Sequence, residues 1–197
     1  MKYGLAIPYN EARLVARLSQ MAEEAGWDGC FLGDYIWCED PMIALAAAAM
    51  TTSRIHLGTM VIPVPLIRPW KIASESLALD RLSNGRIILG LGTGATWMGW
   101  QCFPDEVTET KARAGMLEET VDILTLLYQR KQFDYNGKYY HLKLTLMDEM
   151  HYPAKPIQQP RIPLWTPAIW GRKHSMQRVL KCDGMLPEKR GLDGKPE

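Results

Sequence analysis

Apolar residues along this chain follow two spacings in turn: short unbroken runs, and longer stretches in which they recur every three or four positions. Tyr3 to Pro8 is the first short run. After it, Leu14, Leu18, Met21 and Ala25 lie on one stripe while Arg13, Arg17, Glu23 and Glu24 mostly occupy other faces, which predicts a helix capped by Asn10 and stopped by Gly26. Cys30 to Gly33 reads as a second buried strand, delivering Asp34 and Tyr35 to its C-terminal end. Pro41 opens an alanine-rich helix through Met50. Ile55 to Ile62 is a third strand, and Pro63 and Pro65 forbid regular pairing just beyond it, so a bulge or a cis X-Pro bond is expected there.

The clearest unit runs from Pro69 to Gly94. Ile72, Ala73, Leu77, Leu79 and Leu82 cluster at helical spacing, Pro69 suits a first helical turn, and Ser83-Asn84-Gly85 reads as a cap followed by an immediate turn. Arg86 to Gly94 then forms a continuous apolar run ending in spaced glycines, as expected of a parallel strand covered on both faces. Beyond Gly94, the stretch to Pro104 is too aromatic and too interrupted for a regular element, and long loops of this kind tend to be functional.

A fourth helix is expected to about Gln129, with Met116, Ile123 and Leu127 on one stripe. Phe133 to Tyr140 reads as a β-hairpin around Asn136-Gly137, in a type I′ turn. Pro153, Pro156, Pro160 and Pro163 make a stiff connector to strand five at Leu164-Trp165-Thr166. A helix over Arg172 to Lys181 and strand six at Gly184-Met185-Leu186 follow, so residues 1–187 form one domain and 188–197 a polar tail. Strand and helix alternate about six times, which means a parallel sheet covered by helices, either doubly wound or closed as a barrel. An eight-unit barrel typically needs ~250 residues, and six units fall short of it.

Composition narrows the function classes. Hydrophobic residues at 47% and charged residues at 23% are ordinary for a soluble globular protein. A formal net charge of +1 gives no electrostatic case for nucleic acid or an anionic membrane. No apolar stretch approaches the ~20 residues of a membrane span, and the N-terminus lacks the apolar core of a signal peptide, so a cytoplasmic location is expected. Cys30, Cys38, Cys102 and Cys182 show no C-x-x-C spacing and read as free thiols. The four histidines are scattered, and no metal site is expected.

Gly90, Gly92 and Ala95 match the loosest dinucleotide pattern, but that fingerprint must open a helix directly, whereas Trp97 to Pro104 intervenes. The alternatives are that the small residues fill a crowded interior, or that Gly92 and Gly94 clear space for a flat ring at the strand's C-terminal end.

Several phrases in order resemble the bacterial luciferase-like monooxygenase family. They are Glu24 to Gly29, Thr52 to Thr59, Arg68-Pro69, Leu79 to Arg86, Leu89 to Gly94 and Cys182-Asp183-Gly184. The resemblance implies a TIM-type (β/α) barrel, here incomplete with about six βα units and a small β-hairpin insertion. It also implies FMN or a deazaflavin as cofactor, with the ring across the C-terminal strand ends. Asp34 and Tyr35 match the place where members commonly carry an acid followed by His, and here the His is absent. A tyrosine hydroxyl ordinarily titrates near ~10, so it donates a hydrogen bond more readily than it acts as a base. Asp34 reads equally as a helix cap or a solvated loop charge.

Thr59, Met60, Val61 and Ile62 match the bulged segment behind the ring, and Trp97 and Trp100 are candidates to stack on ring or substrate. Asp80 and Arg86 read as a structural ion pair. The family's phosphate site, after strands seven and eight, has no counterpart here. The implied function is a flavin-type oxidoreductase or monooxygenase acting on a small organic substrate, with a flavin reductase as a partner and a homo-oligomer covering open strand edges. The competing readings are a non-catalytic flavin- or ligand-binding relative and a shortened self-associating remnant.

Overall fold

The computed structural model describes residues 1–189. Its elements in order are β1 (Gly4–Ile7), α1 (Ala12–Glu24), β2 (Gly29–Leu32), α2 (Pro41–Thr51), β3 (His56–Thr59), β4 (Ile62–Pro63), α3 (Pro69–Leu82), β5 (Ile87–Gly92), α4 (Thr110–Tyr128), β6 (Asp134–Asn136), β7 (His141–Lys143), β8 (Leu164–Ile169), α5 (Lys173–Val179) and β9 (Gly184–Glu188). The main sheet has the order β1-β2-β3-β5-β8-β9, every pair parallel, with β4 also pairing β5. This is the expected six-strand α/β arc, a half-barrel with helices on one side. β6 and β7 form the separate antiparallel hairpin. No described helix is long and apolar enough to cross a membrane.

The core lies between the sheet and its helices. Cys30, Leu57, Ile87, Leu89 and Leu164 point into it from the strands and are fully buried. Val15, Leu45, Ile72 and Val121 meet them from four helices. On the other face, Phe31 stacks on Trp165 with ring centroids 5.6 Å apart, and its ring lies along β1, β2 and β3 where those strands carry glycine. A Cβ on Gly4 or Gly29 would sit 2.9 Å from Phe31 Cε2, and one on Gly58 would sit 2.6 Å from Cε1. This face lines a groove of about 460 Å³.

Several local expectations change. The α1 cap is Glu11, whose carboxylate accepts from Arg13 N and Leu14 N at 3.0 and 2.7 Å. Asn10 instead reaches across to donate to Gly33 O and Glu39 O, both at 2.9 Å, pinning the end of β2. Asp40, not Asp34, caps α2. The bulge after β3 is present: from Gly58 to Ile62 this strand spends one residue more than β5 does from Ile88 to Leu91. The cis bond there joins Met60 and Val61 rather than preceding a proline, and the cis X-Pro bond is Gln159-Pro160. Pro63 itself stays in register, opposite Gly92.

The hairpin pairs Asp134 with Lys143 across a longer loop than a type I′ turn, and neither Asn136 nor Gly137 has positive φ. Glu119 on α4 orders that loop by accepting the backbone N–H groups of Lys138, Tyr139 and Tyr140. Glu188, expected in the tail, ends β9 beside β8, because Ile169 pairs with it. The rest of the expected tail, from residue 190, lies outside the described residues.

Candidate functional site

The C-terminal ends of the strands converge on one cavity of about 200 Å³. Each wall follows from a local stop in the sheet. β2 ends at Leu32 and releases Asp34, Tyr35 and Ile36. The bulge turns Met60 and Val61 into the cavity, and Met60 N is tied to Leu32 O at 2.6 Å. β5 ends in Gly92, and the loop beyond it adds Thr93, Gly94, Ala95, Trp97, Met98 and Trp100. Pro167 and Ile169 of β8, Ser175 and Arg178 of α5, and Glu188 of β9 close the far side.

Of the ten residues singled out in the sequence, eight line this cavity: Asp34, Tyr35, Met60, Val61, Gly92, Gly94, Trp97 and Trp100. Thr59 and Ile62 stand behind the wall. The Thr59 hydroxyl pairs with both Gly90 O and Gly90 N at 3.0 Å, bracing the bulge against β5, and Ile62 is buried in the core. Gly92 and Gly94 lie at the same rim as Asp34, but the room they make is already used. A Cβ on Gly92 would collide with Val61, and one on Gly94, which has φ +77°, would lie 2.5 Å from Trp100 Cζ2. The glycines therefore let Val61 and Trp100 form the wall themselves, which differs from the expectation that bare backbone makes space for a ring.

Asp34 is the electrostatic centre. Burial pushes its carboxyl up to about 6; Cys38 Sγ, 3.6 Å away, works against the rise, and the nearby charge of Asp40 adds to it. Such a group exchanges a proton near neutral pH. Tyr35 is more exposed, at 44%.

Three features carried no readable signal in the sequence. The Cys38 contact to Asp34 depends on a turn whose shape the composition does not reveal. Arg178 is buried in the cavity wall, with Nη2 3.5 Å from Glu118 Oε1. Arg113, near the start of α4, is also buried; its Nη1 donates to Thr93 O at 2.7 Å and to Gly94 O at 3.0 Å. Among the described residues no cluster of His, Cys, Asp and Glu could hold a metal ion.

Comparison with known proteins agrees with this fold. A protein of Mycobacterium tuberculosis, provisionally named a coenzyme F420-dependent oxidoreductase, is 34% identical over 195 residues, covering 94% of this chain and 52% of its own. The coenzyme F420-dependent tetrahydromethanopterin reductase of Methanopyrus kandleri superposes with a TM-score of 0.78 at 24% identity, over 95% of this chain and 55% of that one. The oxygenating constituent of 3,6-diketocamphane monooxygenase from Pseudomonas putida, a type II Baeyer–Villiger enzyme solved with FMN, gives 0.76 at 23% identity, over 97% and 57%. These structures share the fold, and the chain spans about half the length of the curated relatives it matches. Residues 3–191 match the sequence profile described as luciferase-like monooxygenase, and the chain belongs to that family.

Proposed function

We propose that this chain carries the ring-binding half of a flavin-type oxidoreductase or monooxygenase for a small organic substrate, with FMN or a deazaflavin as cofactor. The observation that carries the reading is Asp34: a carboxyl whose burial raises it to about 6, at the rim of a cavity of mixed polar and aromatic lining at the C-terminal strand ends. The residues present fit a flat ring. Met60 and Val61 offer an apolar backing, Gly92 and Gly94 let Val61 and the buried Trp100 close into the wall, and Trp97, half exposed, supplies an aromatic face. When bound, the cofactor supplies hydride to an acceptor or reacts in its reduced form with O₂.

The chain's own part is to orient and to move protons. Asp34 holds a proton at its carboxyl below about pH 6 and accepts one above it, and the Tyr35 hydroxyl donates a hydrogen bond at the same rim. Thr59 and Ile62 act from behind, by fixing the bulge. A flavin reductase is the expected source of reduced cofactor for the oxygenase version of this chemistry. Self-association is expected through β1 and β9, the outer strands of the described sheet.

Titration of the purified chain with FMN and with a deazaflavin, followed by cofactor absorbance and tryptophan emission, tests this. Saturable binding is expected. Asp34→Asn should retain it while slowing turnover of reduced cofactor. Binding of neither cofactor would overturn the assignment.

A further inference from the structure

The chain between Gly94 and Thr108 forms neither a strand nor an α-helix; a single 3-10 turn, Trp100–Cys102, is its only regular piece. This strap nevertheless supplies the cavity with Ala95, Trp97, Met98 and Trp100. Its order has to come from somewhere, and one side chain touches it at three points.

Arg113 is 6% exposed and lies beyond the strap, in the first turns of α4. Its Nη1 donates to Thr93 O and Gly94 O, at 2.7 and 3.0 Å, where the strap begins. Its Nε donates to Thr108 O at 3.2 Å, where the strap ends. Its Cζ lies 5.6 Å from the centroid of the Trp100 ring, in the middle. Trp100 is itself 2% exposed and packs over Gly94. A planar guanidinium with five fixed donors can serve carbonyls in two directions while presenting its face to an indole; an ammonium cannot. The strap thus has the anatomy of a compact surface loop whose ends meet.

We propose that Arg113 latches residues 94–108 into one unit and so sets the shape of the cavity, acting as a positioning residue for the bound ring. The proposal deepens the cofactor reading above and rests on it for the last step only. The latch itself belongs to the free chain.

The test uses the full chain as wild type, Arg113→Lys and Arg113→Ala. Hydrogen exchange is read by peptide without ligand, and flavin affinity is read separately. Amides in 94–108 should exchange at least ~10-fold faster in both variants, with the strands β1 to β3 unchanged. Trp100 emission should shift to the red. Millimolar guanidinium should restore protection and emission to Arg113→Ala, and methylammonium should not. Flavin affinity should fall by ~10-fold in Arg113→Ala and recover with guanidinium.

Unchanged exchange in 94–108 would overturn the latch whether or not flavin binds. So would faster exchange spread evenly over all peptides in both variants, which would make Arg113 a general fold element. Faster exchange confined to the strap in a chain that binds no flavin would leave the latch standing and remove the cofactor reading.

Discussion

Asp80 and Arg86 flank a single helix stop, yet their side chains turn to different partners. The Asp80 carboxylate accepts from Ile157 N at 2.5 Å and from Gln158 N and Nε2 at 3.3 and 2.9 Å. The Arg86 guanidinium donates to Ser83 O, Ile55 O, Ala49 O, Thr52 O and Thr52 Oγ1. No ion pair joins them among the described residues. One ties the proline-rich connector to α3, and the other ties the α2–β3 turn to β5.

Asp80→Ala is therefore expected to free the connector. The residue is fully buried, and its loss leaves the Ile157 and Gln158 donors unpaired, at a cost of about 2–3 kcal/mol. Urea unfolding monitored by tryptophan emission reads the loss, and a change within experimental error would show that water replaces the carboxylate.

Glu23 makes stability depend on acid. Burial alone would raise its carboxyl, but the backbone N–H groups of Ile55, Arg54 and Ser53, with the Ser53 hydroxyl, outweigh that and hold it at about 2. The folded value lies below the ordinary 4.5, so its contribution is full above about pH 4.5 and is lost as pH falls through about 2. Glu23→Gln should cost on the order of 1 kcal/mol at pH 7, given solvent screening, and the gap to wild type should close toward pH 2. Melting curves across that range decide it.

Asp34 acts with the opposite sign. Its folded value of about 6 lies above the ordinary 3.8, so its favourable contribution holds below about pH 3.8 and is lost as pH rises through about 6. Asp34→Asn should raise the melting temperature at pH 7.5, by a stability gain on the order of 1–2 kcal/mol. That lead should vanish near pH 4. The same change should slow cofactor turnover, so stability and activity should move apart.

Gly94→Ala should lower both stability and ring binding. The position has φ +77°, and the added methyl would lie 2.5 Å from Trp100, which is buried and held against Arg113. A loss of about 2 kcal/mol is expected, together with a red shift in tryptophan emission. An unchanged spectrum would mean that the strap, rather than Trp100, gives way.

What the sequence made legible was whatever depends on spacing along the chain. Unbroken apolar runs such as Ile87 to Leu91 marked the parallel strands, and the prolines after Ile62 marked a bulge that brings Met60 and Val61 to the cavity. Several of the misreadings concern choices between neighbouring polar groups. Asn10 is the better cap by residue type, but Glu11 is placed where a longer carboxylate reaches the first amides, and Asn10 is drawn to Gly33 and Glu39. Asp80 and Arg86 have opposite charge and short separation, but backbone groups remote in sequence compete for them and win. Arg113 gave no signal, since its partners lie before the helix that carries it.

The Phe31 ring, set along β1, β2 and β3, couples the glycines of those strands to position 31 under substitution. Alanine at Gly4 or Gly29 meets one edge of this ring and alanine at Gly58 the opposite edge, so each change alone should be poorly tolerated. A smaller residue at 31 would lift the restrictions at Gly4 and Gly29 while giving up the stack on Trp165, but at Gly58 the Ile88 carbonyl, 2.8 Å from an added Cβ, would still stand in the way. Mutational paths through this part of the sheet therefore have an order: position 31 must change before Gly4 or Gly29 can drift, while Gly58 stays fixed by the neighbouring strand as well.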